Sequence, residues 1–167
     1  MSSSILGIES KLDKEITSFF KSLGEGLFLK DKKKSITYRQ LMENKLLMIE
    51  VIRMGIPFKV YELIKSLSPF EEADWASFLD VSTKTLQRYK TESNHRFKSS
   101  HSEKIMEMAE VTQIGLDVFG SIEKLRSWLH TPSFALGNVK PVELLKDSYG
   151  KELVLTELVR INHGILV

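Results

Sequence analysis

Hydrophobic positions recur along the chain at three- and four-residue spacing, which is the mark of amphipathic helices. No stretch sustains the strict alternation of a half-buried strand. A first helix is predicted over 8–23, with Ile8, Leu12, Ile16, Phe19, Phe20 and Leu23 on one face, and Gly24-Glu25-Gly26 stops it. The Lys-rich LFLKDKKKSITY that follows reads as a solvated loop. A longer helix is predicted over 38–54, carrying Leu41, Leu47, Met48, Val51 and Ile52, and Gly55 ends it. Pro57 suits the first turn of the next helix, which runs to about Leu67. Ser68-Pro69 repeats the start signal, a cap followed by proline, for a helix over 69–79. Further helices are predicted over 82–89, 102–119 and 121–129. A turn at 141–145 follows, then Gly150 as a separator and a last helix over 151–162. The fold class is therefore all-α.

The stretch EADWASFLDVSTKTLQRYK, from Glu72 to Lys90, has the pattern of a helix-turn-helix. Ala76 is small enough to admit a crossing helix, and Leu79, Val81 and Leu86 are apolar where the two helices would lock. Asp80 stands at the turn where glycine is common, and aspartate tolerates the left-handed conformation at some cost. Ser82 caps the second helix, whose outer face presents Thr83, Lys84, Thr85, Gln87, Arg88 and Lys90. These side chains reach phosphates and base edges when a helix lies in a major groove. The bland alternative is a solvated basic face. Arg88 is the first choice for a base or phosphate contact, with Gln87 and Lys84 beside it.

Composition narrows the classes. The chain has 167 residues, 42% of them hydrophobic, a formal net charge of +2 and no cysteine. That length holds one medium domain or two small ones. The absence of thiols suits a reducing cytoplasm and removes disulfide and thiolate chemistry. MSSSILGIESKLDKE lacks a basic leader with a sustained apolar run, and the apolar run near Leu46–Ile49 breaks at Glu50, so neither a secretory signal nor a membrane span is expected. The expected chain is cytoplasmic, with no membrane partner. His95, His101, His130 and His163 have no i,i+4 pairing and no carboxylate cluster at metal-ligand spacing. Gly24-Glu25-Gly26 lacks the third glycine of a dinucleotide loop. Glu71, Glu72 and Asp74 are better explained as favouring the positive end of a helix than as paired acids. No enzyme, cofactor, metal or small-molecule substrate is expected.

The final forty residues are closely punctuated. Thr131-Pro132 forbids continuation of the helix ending at Trp128-Leu129. Gly137 can supply a positive φ, Pro141 restarts a turn whose Val142, Leu144 and Leu145 face inward, and Gly164 is a left-handed cap. Trp128, Pro132, Gly137 and Pro141 read as scaffold. In the last helix Leu153, Leu155, Leu158, Val159 and Ile161 exceed a single apolar stripe, which predicts that one face meets the domain and another a second copy. The apolar end Ile165, Leu166 and Val167 must fold back or enter a partner, and a partner is the favoured reading.

With these residues in view the chain resembles the Xre/MbcA/ParS type of antitoxin. The likeness covers about 55–167 and rests on the helix-turn-helix, Val118-Phe119-Gly120, Trp128-Leu129, Thr131-Pro132, Ala135-Leu136-Gly137, Pro141, Leu144-Leu145, Gly150 and His163-Gly164. It implies a type II toxin–antitoxin system in which the C-terminal part covers the active-site entrance of a RES-domain toxin that destroys NAD. It also implies repression of the chain's own promoter through operator DNA. On that resemblance the toxin-binding residues are Arg160, Asn162, His163, Gly164, Ile165, Leu166 and Val167. The expected division is an N-terminal helical extension (1–54), an Xre-like helix-turn-helix domain (55–100) and a toxin-binding and dimerisation domain (101–167), assembling as a homodimer. Two departures stand out: Asp80 at the turn, and Thr85-Leu86-Gln87-Arg88-Tyr89, which has fewer arginines than the usual recognition helix. A dimeric helix-turn-helix regulator without a toxin partner is the alternative. Replacing Arg88 with alanine is expected to weaken operator binding; unchanged affinity in a titration at moderate salt would remove Arg88 from the contact.

Overall fold

The computed structural model describes residues 3–22, 35–92 and 94–164, with side chains from Leu6 onward. Ten α-helices form among them: α1 (Ser3–Ser22), α2 (Tyr38–Glu43), α3 (Lys45–Met54), α4 (Phe58–Leu67), α5 (Glu72–Phe78), α6 (Thr83–Thr91), α7 (Ser99–Phe119), α8 (Ile122–Leu129), α9 (Pro141–Leu144) and α10 (Ser148–Asn162). A single 3-10 turn spans Phe134–Leu136. Among the described residues no strand forms, and the bridges Pro57–Arg96 and Ser133–Val139 stand isolated. The all-α class is borne out.

Contacts divide the chain into two compact units that interleave along the sequence, whereas the expected division is sequential. The first comprises Met1–Leu67 and Gln87–Met106, and the second Ser68–Leu86 and Glu107–Val167. Of the three boundaries along the chain, one lies between α4 and α5 and two fall inside continuous helices, α6 and α7.

In the first unit α1 packs on α4 and α2. Leu12, Ile16, Phe19 and Phe20 are buried, as their spacing requires. The Asp13 carboxylate accepts from the Tyr38 backbone N–H at 2.6 Å, and the Thr17 hydroxyl donates to the Ile36 carbonyl at 3.1 Å. Burial pushes the Tyr38 phenol above its ordinary range, and Glu9 adds to the shift. Phe58, Tyr61 and Phe97 form an aromatic cluster with ring centroids 5.0–6.0 Å apart. The chain between α3 and α4 is spliced to the one entering α7: Phe97 donates its N–H to Ile56 at 2.9 Å, and Phe58 donates to His95 at 3.0 Å. The buried Ser102 hydroxyl completes the splice. It accepts from the Ile56 N–H at 2.9 Å and donates to the Phe97 carbonyl at 3.2 Å.

In the second unit Trp75 is the largest fully buried side chain, meeting Phe70 and Phe78 edge-on at 5.8 and 6.0 Å. Leu79, Leu86, Met108, Val111, Leu125, Leu129, Leu145, Val154 and Leu158 close the core around it. Gly115 lets α7 and α8 approach, because a Cβ there would run into the Leu125 side chain. The Arg126 guanidinium donates to the Pro69 carbonyl at 2.9 Å. Lys151 lies between Glu107 and Glu110, at 3.5 and 3.6 Å, with all three groups mostly shielded from solvent.

Three expectations need correction. The predicted helix 38–54 is two helices, because the Asn44 side chain accepts from Leu46 and Leu47 N–H and holds its own backbone extended (φ −113°, ψ 99°), which competes with helix continuation. The helix predicted to start at Pro69 starts at Glu72, where the Asp74 carboxylate accepts from the Glu71 N–H at 2.9 Å; Ser68 and Pro69 are buried ahead of it. Gly150 does not separate two elements but lies in the first turn of α10. The α1 start falls in the described part, at Ser3, earlier than predicted. Its predicted end at Leu23, the Gly24-Glu25-Gly26 stop and most of the Lys-rich loop lie outside the described residues.

Replacing Ser102 with alanine strands the buried Ile56 N–H. Denaturant unfolding should show a loss of about 1–3 kcal/mol, and an unchanged midpoint would contradict the splice.

Candidate functional site

Two surfaces carry the residues singled out by sequence. The first is the helix-turn-helix segment. Asp80 adopts the left-handed conformation expected of it, with φ of 52°, and the Val81 N–H donates back to Ala76 at 3.0 Å. Ser82 caps α6 as predicted, its hydroxyl accepting from the Thr85 N–H at 3.0 Å. Trp75, Ala76, Phe78 and Leu79 are buried in the second unit together with Leu86, the inward residue of α6.

Along α6 itself, Thr83, Lys84, Gln87, Arg88 and Lys90 are exposed and Thr85 is half-buried. This separation of apolar Leu86 from the polar positions follows from helical spacing. Lys90 Nζ lies 3.2 Å from Glu62 Oε1, and Arg88 Nε lies 3.7 Å from Glu92 Oε1. The Arg88 guanidinium carbon sits 5.6 Å from the Tyr89 ring centroid. The functional reading of α6 needs side chains at the surface, and all but Thr85 are fully there. Sequence reasoning passed over Glu92, although it is a lone acid in a basic stretch.

The second surface belongs to the C-terminal elements. Ser121 caps α8, its hydroxyl accepting from the Lys124 N–H, and Phe119 packs on half-buried Trp128 at 5.6 Å. The reversal after α8 uses two left-handed residues, Gly137 (φ 73°) and Asn138 (φ 60°). Pro141 opens α9, whose Val142 is buried, and Leu145 beyond it is fully buried. α9 and the 3-10 turn both pack on α10. A Cβ on Gly150 would run into the backbone carbonyl of Leu144, so glycine is required where α10 begins against α9.

α10 buries Val154 and Leu158 and leaves other apolar side chains outside. Leu153 is 55% exposed and Val159 48%, which realises the surplus apolar face read from the sequence. Two residues that sequence reasoning missed join them: Phe134 in the 3-10 turn, 79% exposed, and Tyr149, 84% exposed. Tyr149 and Leu153 share a face at i,i+4 spacing. The signal available for Phe134 was a large aromatic in a turn-rich context with no apolar neighbour at helical spacing, and for Tyr149 it was the i,i+4 pairing with Leu153.

At the end of α10, Arg160 Nη1 lies 3.6 Å from Glu157 Oε2, and Asn162, His163 and Gly164 are exposed. Gly164 has the left-handed φ of 67° expected of a cap. Ile165, Leu166 and Val167 lie outside the described residues. Among the described residues no group of His, Cys, Asp or Glu could hold a metal ion, and no helix is long and apolar enough to cross a membrane.

The C-terminal elements thus form a small helical unit that leaves several large apolar side chains at its surface. Comparison with known sequences adds to that. Residues 115–164 match the family described as "Antitoxin Xre/MbcA/ParS C-terminal toxin-binding domain". The chain is also similar to "Antitoxin Xre" of Photorhabdus laumondii subsp. laumondii, with 25% identity over 117 residues, covering 70% of this chain and 78% of that protein. Together they bear out the resemblance to antitoxins of the Xre/MbcA/ParS type and support a role in a toxin–antitoxin system.

Gly150→Ala is expected to lower stability by on the order of 1–3 kcal/mol through the forced contact with Leu144. Thermal unfolding followed by circular dichroism measures this, and a wild-type midpoint would show that α9 and α10 do not meet so closely.

Proposed function

We propose that this chain is the antitoxin of a type II toxin–antitoxin system and neutralises an NAD-degrading RES-domain toxin by covering its active-site entrance. The match of residues 115–164 to a toxin-binding domain carries the reading, and the exposed Phe134 and Tyr149 inside that match support it. Large apolar groups held at a surface by a buried core gain most when a protein partner covers them. The last turn of α10 and the residues beyond it, Arg160, Asn162, His163, Gly164 and 165–167, form the toxin contact. Leu153 and Val159 serve a homodimer formed through the same domain.

The α6 surface, Thr83, Lys84, Thr85, Gln87, Arg88 and Lys90, contacts operator DNA, so that the protein represses its own promoter. Exposed cations on a capped helix following a tight turn support that part of the reading.

Co-expression with the neighbouring open reading frame tests the proposal. Growth arrest by the neighbour alone, rescued by this chain, is the expected outcome. A neighbour that is never toxic would favour a dimeric DNA-binding regulator without a toxin partner. Deleting 165–167 should abolish rescue while leaving the circular dichroism spectrum intact; full rescue by the truncated chain would remove the tail from the contact. Leu153→Asp should convert a dimer to a monomer in sedimentation experiments.

A further inference from the structure

The α6 surface carries a built-in opponent. Between positions 84 and 98 the chain has five cations, Lys84, Arg88, Lys90, Arg96 and Lys98, and one carboxylate, Glu92. That carboxylate lies beside Arg88. Resting on the DNA-binding reading above, we propose that Glu92 is the internal counter-ion of Arg88. In that role it tempers the attraction of α6 to any nucleic-acid backbone and thereby sets the discrimination between operator and bulk DNA.

The two Glu92 oxygens are divided between two partners. Oε2 lies 2.8 Å from His95 Nδ1, and Oε1 lies 3.7 Å from Arg88 Nε. A carboxylate accepts only, so the imidazole donates from Nδ1. His95 is a firm anchor for it. Its ring stacks on Tyr89 with centroids 3.7 Å apart and planes 16° from parallel, Phe97 meets it edge-on at 5.0 Å, and its side chain is only 14% exposed. Its backbone is tied as well, donating to the Glu92 carbonyl at 3.2 Å and accepting from the Phe58 N–H at 3.0 Å. Nε2 is buried without a hydrogen-bond partner, which leaves Nδ1 as the ring nitrogen that binds. Glu92 is thus held near the Arg88 side chain, whose guanidinium carbon also lies 5.6 Å from the Tyr89 ring centroid.

A fixed carboxylate acts unequally on the two kinds of contact Arg88 can make. A phosphate attracts the guanidinium by charge, and Glu92 offsets that attraction while repelling the phosphate itself. A guanine edge offers two neutral acceptors in a geometry that matches the guanidinium fork, and it loses less to a nearby negative charge. The counter-ion therefore weakens binding to arbitrary sequence more than binding to the right one.

Fluorescence anisotropy with two labelled duplexes tests this, one carrying the promoter region upstream of the chain's own gene and the other a scrambled sequence. Glu92→Gln should tighten binding to the scrambled duplex by roughly two- to fivefold, and steepen its salt dependence by about one ion. The promoter duplex should gain less, so the ratio between the two narrows. In an Arg88→Ala background most of that gain should vanish. Equal tightening of both duplexes, or a gain undiminished without Arg88, would make Glu92 an ordinary surface charge and overturn the proposal. If Arg88→Ala weakens promoter binding while Glu92→Gln leaves the ratio unchanged, the DNA-binding reading stands and the counter-ion role falls. If Arg88→Ala leaves promoter binding unchanged, both fall.

Discussion

The contact between Gly150 and the Leu144 carbonyl governs the C-terminal domain. It brings the first turn of α10 against α9 with no side chain between them. Once that turn is seated, helical periodicity decides the rest. Val154 and Leu158 point into the core, and Tyr149, Leu153 and Val159 are left in solvent. Lys151, one residue after the glycine, reaches Glu107 and Glu110 on α7 and fixes the same helix from another direction. The surface offered to a partner is therefore a by-product of how tightly the opposite side of α10 is packed. A looser start would let the helix rotate, and the apolar residues now outside could find shelter within the domain.

The same logic holds in the first unit on a smaller scale. Short helices bury limited area each, so backbone groups between them need explicit partners. Ser102 supplies two such bonds at one point, joining the segment before α4 to the segment before α7. His95 lies next along that splice and also anchors Glu92. The end of α6 is thereby tied to the aromatic cluster of its unit, which limits how its exposed cations can rearrange.

Much of this was legible in the sequence, and what was not has physical reasons. Leu12, Ile16, Phe19 and Phe20 declared α1 because burial on one helical face imposes the spacing. Ser82, Asp80 and Gly164 declared their caps and turns through chemistry that few residues share. Asn44 hid its break because its neighbours continue the helical pattern, and only the side-chain acceptor stops it. Gly150 misled because glycine more often ends a helix than begins one, whereas here the close approach of a neighbouring carbonyl demands it. For the candidate site, the cationic α6 face and the surplus apolar face of α10 were both readable from periodicity. Phe134 was not, since a single exposed aromatic has no period to announce it, and Tyr149 was missed because the helix was expected to begin after Gly150 rather than at Ser148. The family resemblance reached further than the pattern of residues alone could, and the match over 115–164 falls where the punctuation of glycines and prolines is densest.

The central claim is that the last turn of α10 and the residues beyond it dock a toxin. Hydrogen–deuterium exchange of the chain, alone and with its toxin partner, tests this most directly. The account predicts new protection from Arg160 through the C-terminus, together with Tyr149 and the turn around Phe134, while α6 exchanges as before. Protection confined to α6 and the helices of the first unit, with α10 unchanged, would contradict it.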